Sequence, residues 1–445
     1  MKRILILGAG LSSTSLINYL LSYSESKNWQ IRVGDLDESL AKQKINGHPK
    51  GTAFCFDVSN ASQIETEVKG CDIAVSMLPA CFHIEIARAC LKFEKHMVTA
   101  SYVSTEMKAL DAEAKAKGLT FLNELGVDPG IDHMSAMRVI DNIKNSGGKL
   151  TLFKSSTGGL VAPKYDNNPW HYKFTWNPRN VVLAGQGTAC FIRNGQYKYI
   201  PYTQLFSRVE ITEVLDYGKF EIYANRDSLS YRETYGLQDI PTIFRGTMRR
   251  PGYGKAWNVF VQLGMTDDNT IYQGDENTSY RDFINAFLVY HPEKKVEDKL
   301  CEFMRFDRNH EIMKKLEWLG IFDDTPIGMK NASPAQILQK LLEKKWALEP
   351  QDKDMIVMQH QFEYELDGKK KGLTSSFAYI GKSQAETAMA ITVGTPAAIA
   401  TCLLASGTFT KPGVHVPVIP ELYNPILDEL ENYDIKFVEK SFDIE

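Results

Sequence analysis

The sequence predicts an α/β fold, with a doubly wound parallel sheet at the N-terminal end, a second α/β region and a helical region. Three observations carry this. Over the first 130 residues, short apolar runs alternate with helix-patterned stretches, as strands buried on both faces and their crossover helices require. A glycine turn, Gly8-Ala9-Gly10, follows the first apolar run at once. The chain has 445 residues, enough for two or three hydrophobic cores.

The first strand is Arg3-Ile4-Leu5-Ile6-Leu7, and a helical pattern (Leu11, Leu16, Ile17, Leu20, Leu21) begins after the turn. Gly8 permits the tight turn. Gly10 lets the backbone approach a pyrophosphate at the positive end of that helix. Ser13 stands where a third glycine is usual, a small residue that still allows close helix–strand packing. A second strand, Gln30-Ile31-Arg32-Val33-Gly34, ends at Asp35, 25 residues after Gly10. There a Rossmann-type sheet holds the ribose hydroxyls of a dinucleotide. The third strand, 52–56, closes on Asp57 and Val58, a position that reaches the adenine ring. The fourth, 72–79, ends at Leu78-Pro79, where the cofactor crosses the sheet. Strands over 96–102 and 120–124 complete the set, with helices over 83–92 and 104–117 between them. Ligands of such a sheet bind at the carboxyl ends of the strands.

Beyond Pro129-Gly130 the pattern predicts a helix over 131–145, then strand-like segments over 150–155, 181–183, 188–192 and 197–200. From about 255 to 350 it turns helical, with helices over 256–265, 280–288, 309–319 and 335–345. A strand over 354–366 meets Asp367-Gly368, a hairpin signal, and returns over 374–380. Lys369-Lys370-Lys371 reads as a solvated turn, and helices over 383–405 and 421–431 close the chain. The expected organisation is a Rossmann domain from 1–130 plus 386–445. An α/β substrate and oligomerisation domain takes 131–255 plus 352–385, and a helical domain takes 256–351.

Composition narrows the function classes. A formal charge of −4 argues against a general nucleic-acid binder. Seven scattered cysteines form no C-x-x-C pair, so neither a disulfide framework nor a zinc site is expected, and a reducing compartment fits. The basic start and apolar run imitate a signal peptide, but the run ends at a glycine turn with no cleavage site after it. The expectation is a cytoplasmic protein without a membrane span or metal.

Several segments resemble, in order, the landmarks of the glutamate-forming saccharopine dehydrogenases. They are Ser76-Met77-Leu78-Pro79, Val98-Thr99-Ala100-Ser101-Tyr102, the run 123–134 around Gly126-Val127-Asp128-Pro129, Gly158-Gly159-Leu160-Val161-Ala162-Pro163, and Tyr172-Lys173-Phe174-Thr175-Trp176. Asn225-Arg226-Asp227-Ser228, Arg245-Gly246-Thr247-Met248-Arg249, 353–358 and 392–396 continue the match over roughly residues 1–435. The resemblance implies a nicotinamide-dependent oxidoreductase of lysine metabolism. It would oxidise the secondary amine saccharopine to an imine and hydrolyse that to glutamate and 2-aminoadipate 6-semialdehyde.

It also implies a site. Cofactor contacts would come from Gly8, Gly10, Leu11, Ser12, Asp35, Asp57, Val58 and Leu78, and from Ala100, Ser101, Val127, Asp128 and Pro129. Substrate contacts would come from Ser101, Tyr102, Asp128, Arg226 and the Arg245-Gly246-Thr247 turn. Saccharopine carries three carboxylates, and arginine suits them because its planar fork donates two parallel hydrogen bonds. Arg232 and Arg250 read as surface charges. Proton transfer has Asp128, His133, Tyr102 and Lys173 as chemically suitable candidates. Fungal members resembling this chain carry an arginine after the second strand, suited to a 2′-phosphate; here the stretch is Gly34-Asp35-Leu36-Asp37. The expected cofactor is therefore NAD, with NADP possible, and the expected assembly a homodimer acting on a small amino-acid substrate. Three other readings fit part of the pattern: an imine reductase like carboxynorspermidine dehydrogenase, a non-catalytic NAD-binding protein, and a non-redox lyase or racemase on a Rossmann scaffold. The two arginine landmarks favour saccharopine.

Overall fold

The computed structural model describes residues 1–444, which form two compact units. The first comprises Met1–Leu150 with Tyr364–Lys371 and the stretch from Tyr379 onward. Its strands are β1 (Lys2–Leu7), β2 (Trp29–Asp35), β3 (Gly51–Cys55), β4 (Ile73–Ser76), β5 (His96–Thr99) and β6 (Thr120–Leu122). With a short late strand, Gly413–His415, they form one parallel sheet in the order Gly413–His415, β6, β5, β4, β1, β2, β3. The order reverses between β1 and β4, and this topological switch point is where such sheets open a crevice for ligands. Ile4 to Leu7 are at most 1% exposed, which is why β1 reads as an unbroken apolar run.

The crossovers are α1 (Thr14–Ser24), α2 (Glu38–Ile45), α3 (Ala61–Lys69) and α4 (His83–Phe93). Asp37 and Asn60 cap α2 and α3 by accepting from Ser39 N and Gln63 N, satisfying donors that a helix start leaves open. The stretch expected as one helix over 104–117 is two, α5 (Thr105–Ala109) and α6 (Asp111–Ala116). Asp111 beside the break accepts from Val414 N at 2.9 Å, tying this segment to the late edge strand. Then α7 (Ile131–Asn145) follows as predicted. A helix over Ala388–Ser406 is long and apolar enough to cross a membrane, yet most of it is buried against α1 within this unit. Its apolar residues face every side because it is a core helix.

The second unit spans Thr151–Glu363 and Gly372–Ala378. Its strands are β7 (Lys149–Val161), β8 (Ala189–Arg193), β9 (Gln196–Ile200), β10 (Glu210–Glu213), β11 (Lys219–Ala224), β12 (Thr242–Arg249), β13 (Asp354–Leu366) and β14 (Lys369–Ile380). The mixed sheet runs β10, β11, β12, β7, β13, β14, with the β8–β9 hairpin joined to β12. Helices from Tyr253–Leu263 to Pro334–Lys345 share one hydrophobic core with these strands. Its centre is an aromatic cluster in which Trp170 stacks on Phe260 at 5.9 Å, with Trp346 and Tyr253 beside them.

Three sequence expectations change here. The segment expected as a strand over 181–183 lies in a short helix, Pro178–Val182. Asn177 accepts from Arg179 N and Asn180 N, and Pro178 opens the first turn, so cap chemistry overrides the β-branched pair Val181-Val182. The Arg245-Gly246-Thr247 turn is the middle of β12, parallel to β7 with Gly246 opposite Ser156. Gly246 suits a strand there because a Cβ would meet the Ile222 side chain on β11 at 2.3 Å. The hairpin forms where expected: Asp367 and Gly368 both have positive φ, 52° and 74°, the requirement of a tight two-residue connection. Lys369-Lys370-Lys371 opens β14 rather than lying in the turn.

Candidate active site

At the carboxyl end of β1, Gly8 has φ +103°, and a Cβ there would lie 2.7 Å from Met77 O. Only glycine serves, because the turn passes against the backbone leaving β4. At Gly10 the reverse holds: a Cβ would meet nothing within 4 Å, so the missing side chain leaves room for a ligand. Leu11 and Ser12 then open a 3-10 turn, Leu11–Ser13, ahead of α1. Their N–H groups, like those at any helix start, point outward without intrahelical carbonyls. Ser13 Oγ donates to Gly10 O at 2.8 Å, so the serine closes the turn by its own hydrogen bond. These features fit a dinucleotide pyrophosphate.

Asp35, at the end of β2, accepts from Ala9 N at 2.6 Å and from Asp37 N at 3.0 Å. It thereby joins the glycine turn to the second strand end. Lys44 on α2 donates to Gly10 O and to Ser13 Oγ. Burial brings this ammonium down to about 8, against the opposing pull of Asp35. Asp57 lies exposed after β3, its carboxylate accepting from Ser59 N at 2.9 Å, with Val58 half-buried beside it. Leu78 follows β4, also half-buried.

After β5 the chain carries Ala100 and Ser101, both half-buried, and Tyr102, 49% exposed. Tyr102 Oη donates to Asp128 Oδ1 at 3.0 Å. Asp128 and Pro129 sit in a loop closed by Gly126 N donating to Pro129 O at 2.9 Å, with Val127 buried inside it. Asp132 holds the loop from α7 by accepting from Gly130 N at 2.6 Å. Glu124, buried, accepts from Val103 N at 3.0 Å and lies 2.8 Å from His133 Nε2. His133 itself has no exposed surface and a second carboxylate, Asp132, 3.6 Å from Nδ1. The histidine thus presents nothing to a ligand and braces the loops that carry Tyr102 and Asp128.

One buried histidine in this unit escaped the sequence reading. His83, the first residue of α4, lies with Nδ1 2.8 Å from Ser76 Oγ and Nε2 2.7 Å from Ser101 Oγ. Thr99 Oγ1 is 3.3 Å from the same Nε2 and accepts from Ser101 N at 3.3 Å. Burial pushes the imidazole down to about 4. The sequence signal was a histidine opening the helix after the fourth strand, within reach of hydroxyls that end strands four and five.

In the second unit, Arg226 is exposed, and among the described residues no carboxylate is paired with its guanidinium. Its loop is shaped by Asp227, which accepts from Leu229 N at 2.7 Å, and by Cys190 N donating to Arg226 O at 2.7 Å. Arg245 is buried, its guanidinium 3.9 Å from the centre of the Tyr231 ring. Arg245 N donates to Ser228 Oγ at 2.9 Å, and Thr247 Oγ1 donates to Asn225 Oδ1 at 3.2 Å. The 225–228 loop and β12 are therefore one hydrogen-bonded construction that brings Arg226, Arg245, Gly246 and Thr247 together. Lys173 is placed differently: it is 3% exposed and donates to Asp352 Oδ2 at 2.6 Å. Arg232 reaches Gln238 O and the Tyr197 hydroxyl at the surface, and Arg250 donates to Tyr217 O.

Comparison with known proteins adds a second line. Residues 4–122 match the family model for the saccharopine dehydrogenase NADP binding domain, and 126–435 the saccharopine dehydrogenase C-terminal domain. "Saccharopine dehydrogenase [NADP(+), L-glutamate-forming]" of Schizosaccharomyces pombe is 32% identical over 464 residues, covering all of both chains. The protein of the same name from Saccharomyces cerevisiae is 32% identical over 448 residues, covering 99% of each. Among solved structures, the apo histidine-tagged saccharopine dehydrogenase (L-Glu forming) from Saccharomyces cerevisiae superposes with a TM-score of 0.89 at 29% identity, covering 99% of this chain and 100% of that one.

Proposed function

This chain belongs to the saccharopine dehydrogenase family, and on that premise we propose how its residues carry out the reaction. The protein is an L-glutamate-forming saccharopine dehydrogenase of lysine metabolism, dependent on a nicotinamide dinucleotide. It takes a hydride from the lysine-side carbon of the secondary amine, and water then splits the resulting imine into glutamate and 2-aminoadipate 6-semialdehyde. The observation that carries this reading is the Tyr102–Asp128 hydrogen bond at the strand ends beside an open Gly10 turn.

A nicotinamide dinucleotide, when bound, supplies the hydride acceptor. In this reading Gly10, Leu11 and Ser12 would hold its pyrophosphate, Asp35 its ribose hydroxyls, and Asp57 and Val58 its adenine. Leu78, Ala100, Val127 and Pro129 would line its nicotinamide end. Asp128 accepts the amine proton as the imine forms; a carboxylate has lone pairs enough for that proton besides the Tyr102 bond. Tyr102 steadies the charge on Asp128 and orients water for hydrolysis. Arg226 and Arg245, with Thr247, bind substrate carboxylates, the family's role for these landmarks. His133 and Lys173 are assigned as structural partners of Glu124 and Asp352, because burial in short contacts to these carboxylates leaves no surface for substrate. The reading includes a cytoplasmic homodimer.

The finer cofactor choice is NAD. Both fungal relatives carry NADP(+) in their names, but here the second strand ends in Gly34-Asp35-Leu36-Asp37 with no arginine. A carboxylate at that place repels a 2′-phosphate and accepts ribose hydroxyls. Steady-state oxidation of saccharopine should give a kcat/KM at least about 10-fold higher with NAD+ than with NADP+, a gap of about 1.4 kcal/mol. Equal or better use of NADP+ would remove the preference and point to Lys44 as the cation for the phosphate.

A further inference from the structure

The contacts of His83 define the direction in which its hydrogen bonds run. Ser76 Oγ is buried, with His83 Nδ1 as its hydrogen-bond partner among the described residues at 2.8 Å. A buried hydroxyl proton left without an acceptor costs about 1–3 kcal/mol, so Ser76 donates and Nδ1 accepts. The imidazole is neutral, held so by burial, and its one proton therefore sits on Nε2. The 2.7 Å contact to Ser101 Oγ needs one proton between nitrogen and oxygen, and Nε2 provides it. Ser101 then receives a bond from His83 and keeps its own hydroxyl proton for another partner. The Nε2–H tautomer serves the two short contacts, 2.8 and 2.7 Å, at the expense of the longer 3.3 Å contact from Thr99 Oγ1, whose proton then has no acceptor in Nε2. The opposite tautomer strands the Ser76 proton at the shorter distance and spends the Ser101 proton on Nε2. Thr99 adds to the arrangement by accepting Ser101 N, which fixes the serine backbone.

We propose that His83 is a positioning residue: as the Nε2–H tautomer it orients Ser101 so that the serine hydroxyl is a hydrogen-bond donor facing the ligand. The relay runs Ser76 O–H to Nδ1, Nε2–H to Ser101 Oγ, and Ser101 O–H to an oxygen acceptor. That acceptor is a carboxylate of saccharopine or the carboxamide oxygen of the nicotinamide. The proposal rests on the functional reading above, in which Ser101 meets substrate and cofactor.

Two measurements test it. In the wild-type protein, nitrogen-15 histidine spectra at neutral pH, with the His83 signal assigned from its loss in His83→Gln, should show the proton on Nε2. A proton on Nδ1 overturns the proposal whether or not saccharopine is the substrate. The second is a double-mutant cycle with Ser101→Ala, His83→Leu and both together. Each single variant should cost about 10-fold in kcat/KM, and the double variant no more than about 2-fold beyond Ser101→Ala, since coupled residues are not additive. His83→Gln, which keeps an N–H for Ser101, should come back to within about 3-fold of wild type, a rescue that a purely structural role does not predict. A rise confined to KM for saccharopine assigns the acceptor to the substrate, and one confined to KM for the dinucleotide assigns it to the cofactor. A multiplicative double variant, about 100-fold down, would overturn the relay. Failure of the wild type to oxidise saccharopine would sink the functional reading but leave the tautomer result standing.

Discussion

Asp35, Asp128 and Arg226 are candidates that the sequence itself offers, because each sits in a local pattern: a strand end, a Gly-Val-Asp-Pro-Gly loop, an Asn-Arg-Asp-Ser loop. His83 is not, because its partners Ser76, Thr99 and Ser101 converge only when β4, α4 and β5 pack together. The partner of Lys173 was hidden for a similar reason: its carboxylate, Asp352, is 179 residues away, and distance along the chain hides an ion pair. His83 also carries a stability signature. Its folded value, about 4, lies below its ordinary 6.5, so the unfolded chain takes up the proton first as pH falls. The stabilising contribution is full above about pH 6.5 and is lost as pH drops toward 4, in all about 3 kcal/mol. Denaturant unfolding of wild type and His83→Gln at pH 7.5 and 4.5 should show the wild-type advantage shrinking by about 2–3 kcal/mol at the lower pH. An advantage that does not change with pH would contradict the neutral, buried state.

Elements were read best where one physical signal dominated. The parallel strands announced themselves as apolar runs and the β13–β14 hairpin by Asp367-Gly368, whereas β10 and β11 gave no such run and were missed. The helix Val296–Met304 was missed too, its start carrying no side-chain cap. Close packing between elements is equally silent in a sequence. The helix Ala388–Ser406 approaches the glycine turn so closely that a Cβ on Gly394 would lie 2.8 Å from both Leu16 N and Ser12 O. Those atoms are backbone and cannot rotate aside, so Gly394→Val should destabilise the protein by about 1–3 kcal/mol. The displaced Leu11–Ser13 turn should weaken binding of the reduced dinucleotide as well, read by fluorescence titration. A lowered melting temperature with unchanged cofactor affinity would show that the late helix supports the core without shaping the cofactor turn.

For the whole molecule, the sequence carried the fold class and the family, because both are written in ordered landmarks spread along the chain. The discontinuity of the first unit, which recruits segments from the last third of the chain, was legible only through the family resemblance. The sharing of one core between the helices and the second sheet was not legible, since apolar periodicity shows which face is buried but not against what. Product stoichiometry decides the reaction. Purified protein should reduce NAD+ in a saccharopine-dependent reaction and release one glutamate for each hydride transferred. Cofactor reduction that releases lysine instead of glutamate would contradict the account, as would a protein that binds NADH and turns over saccharopine with neither NAD+ nor NADP+.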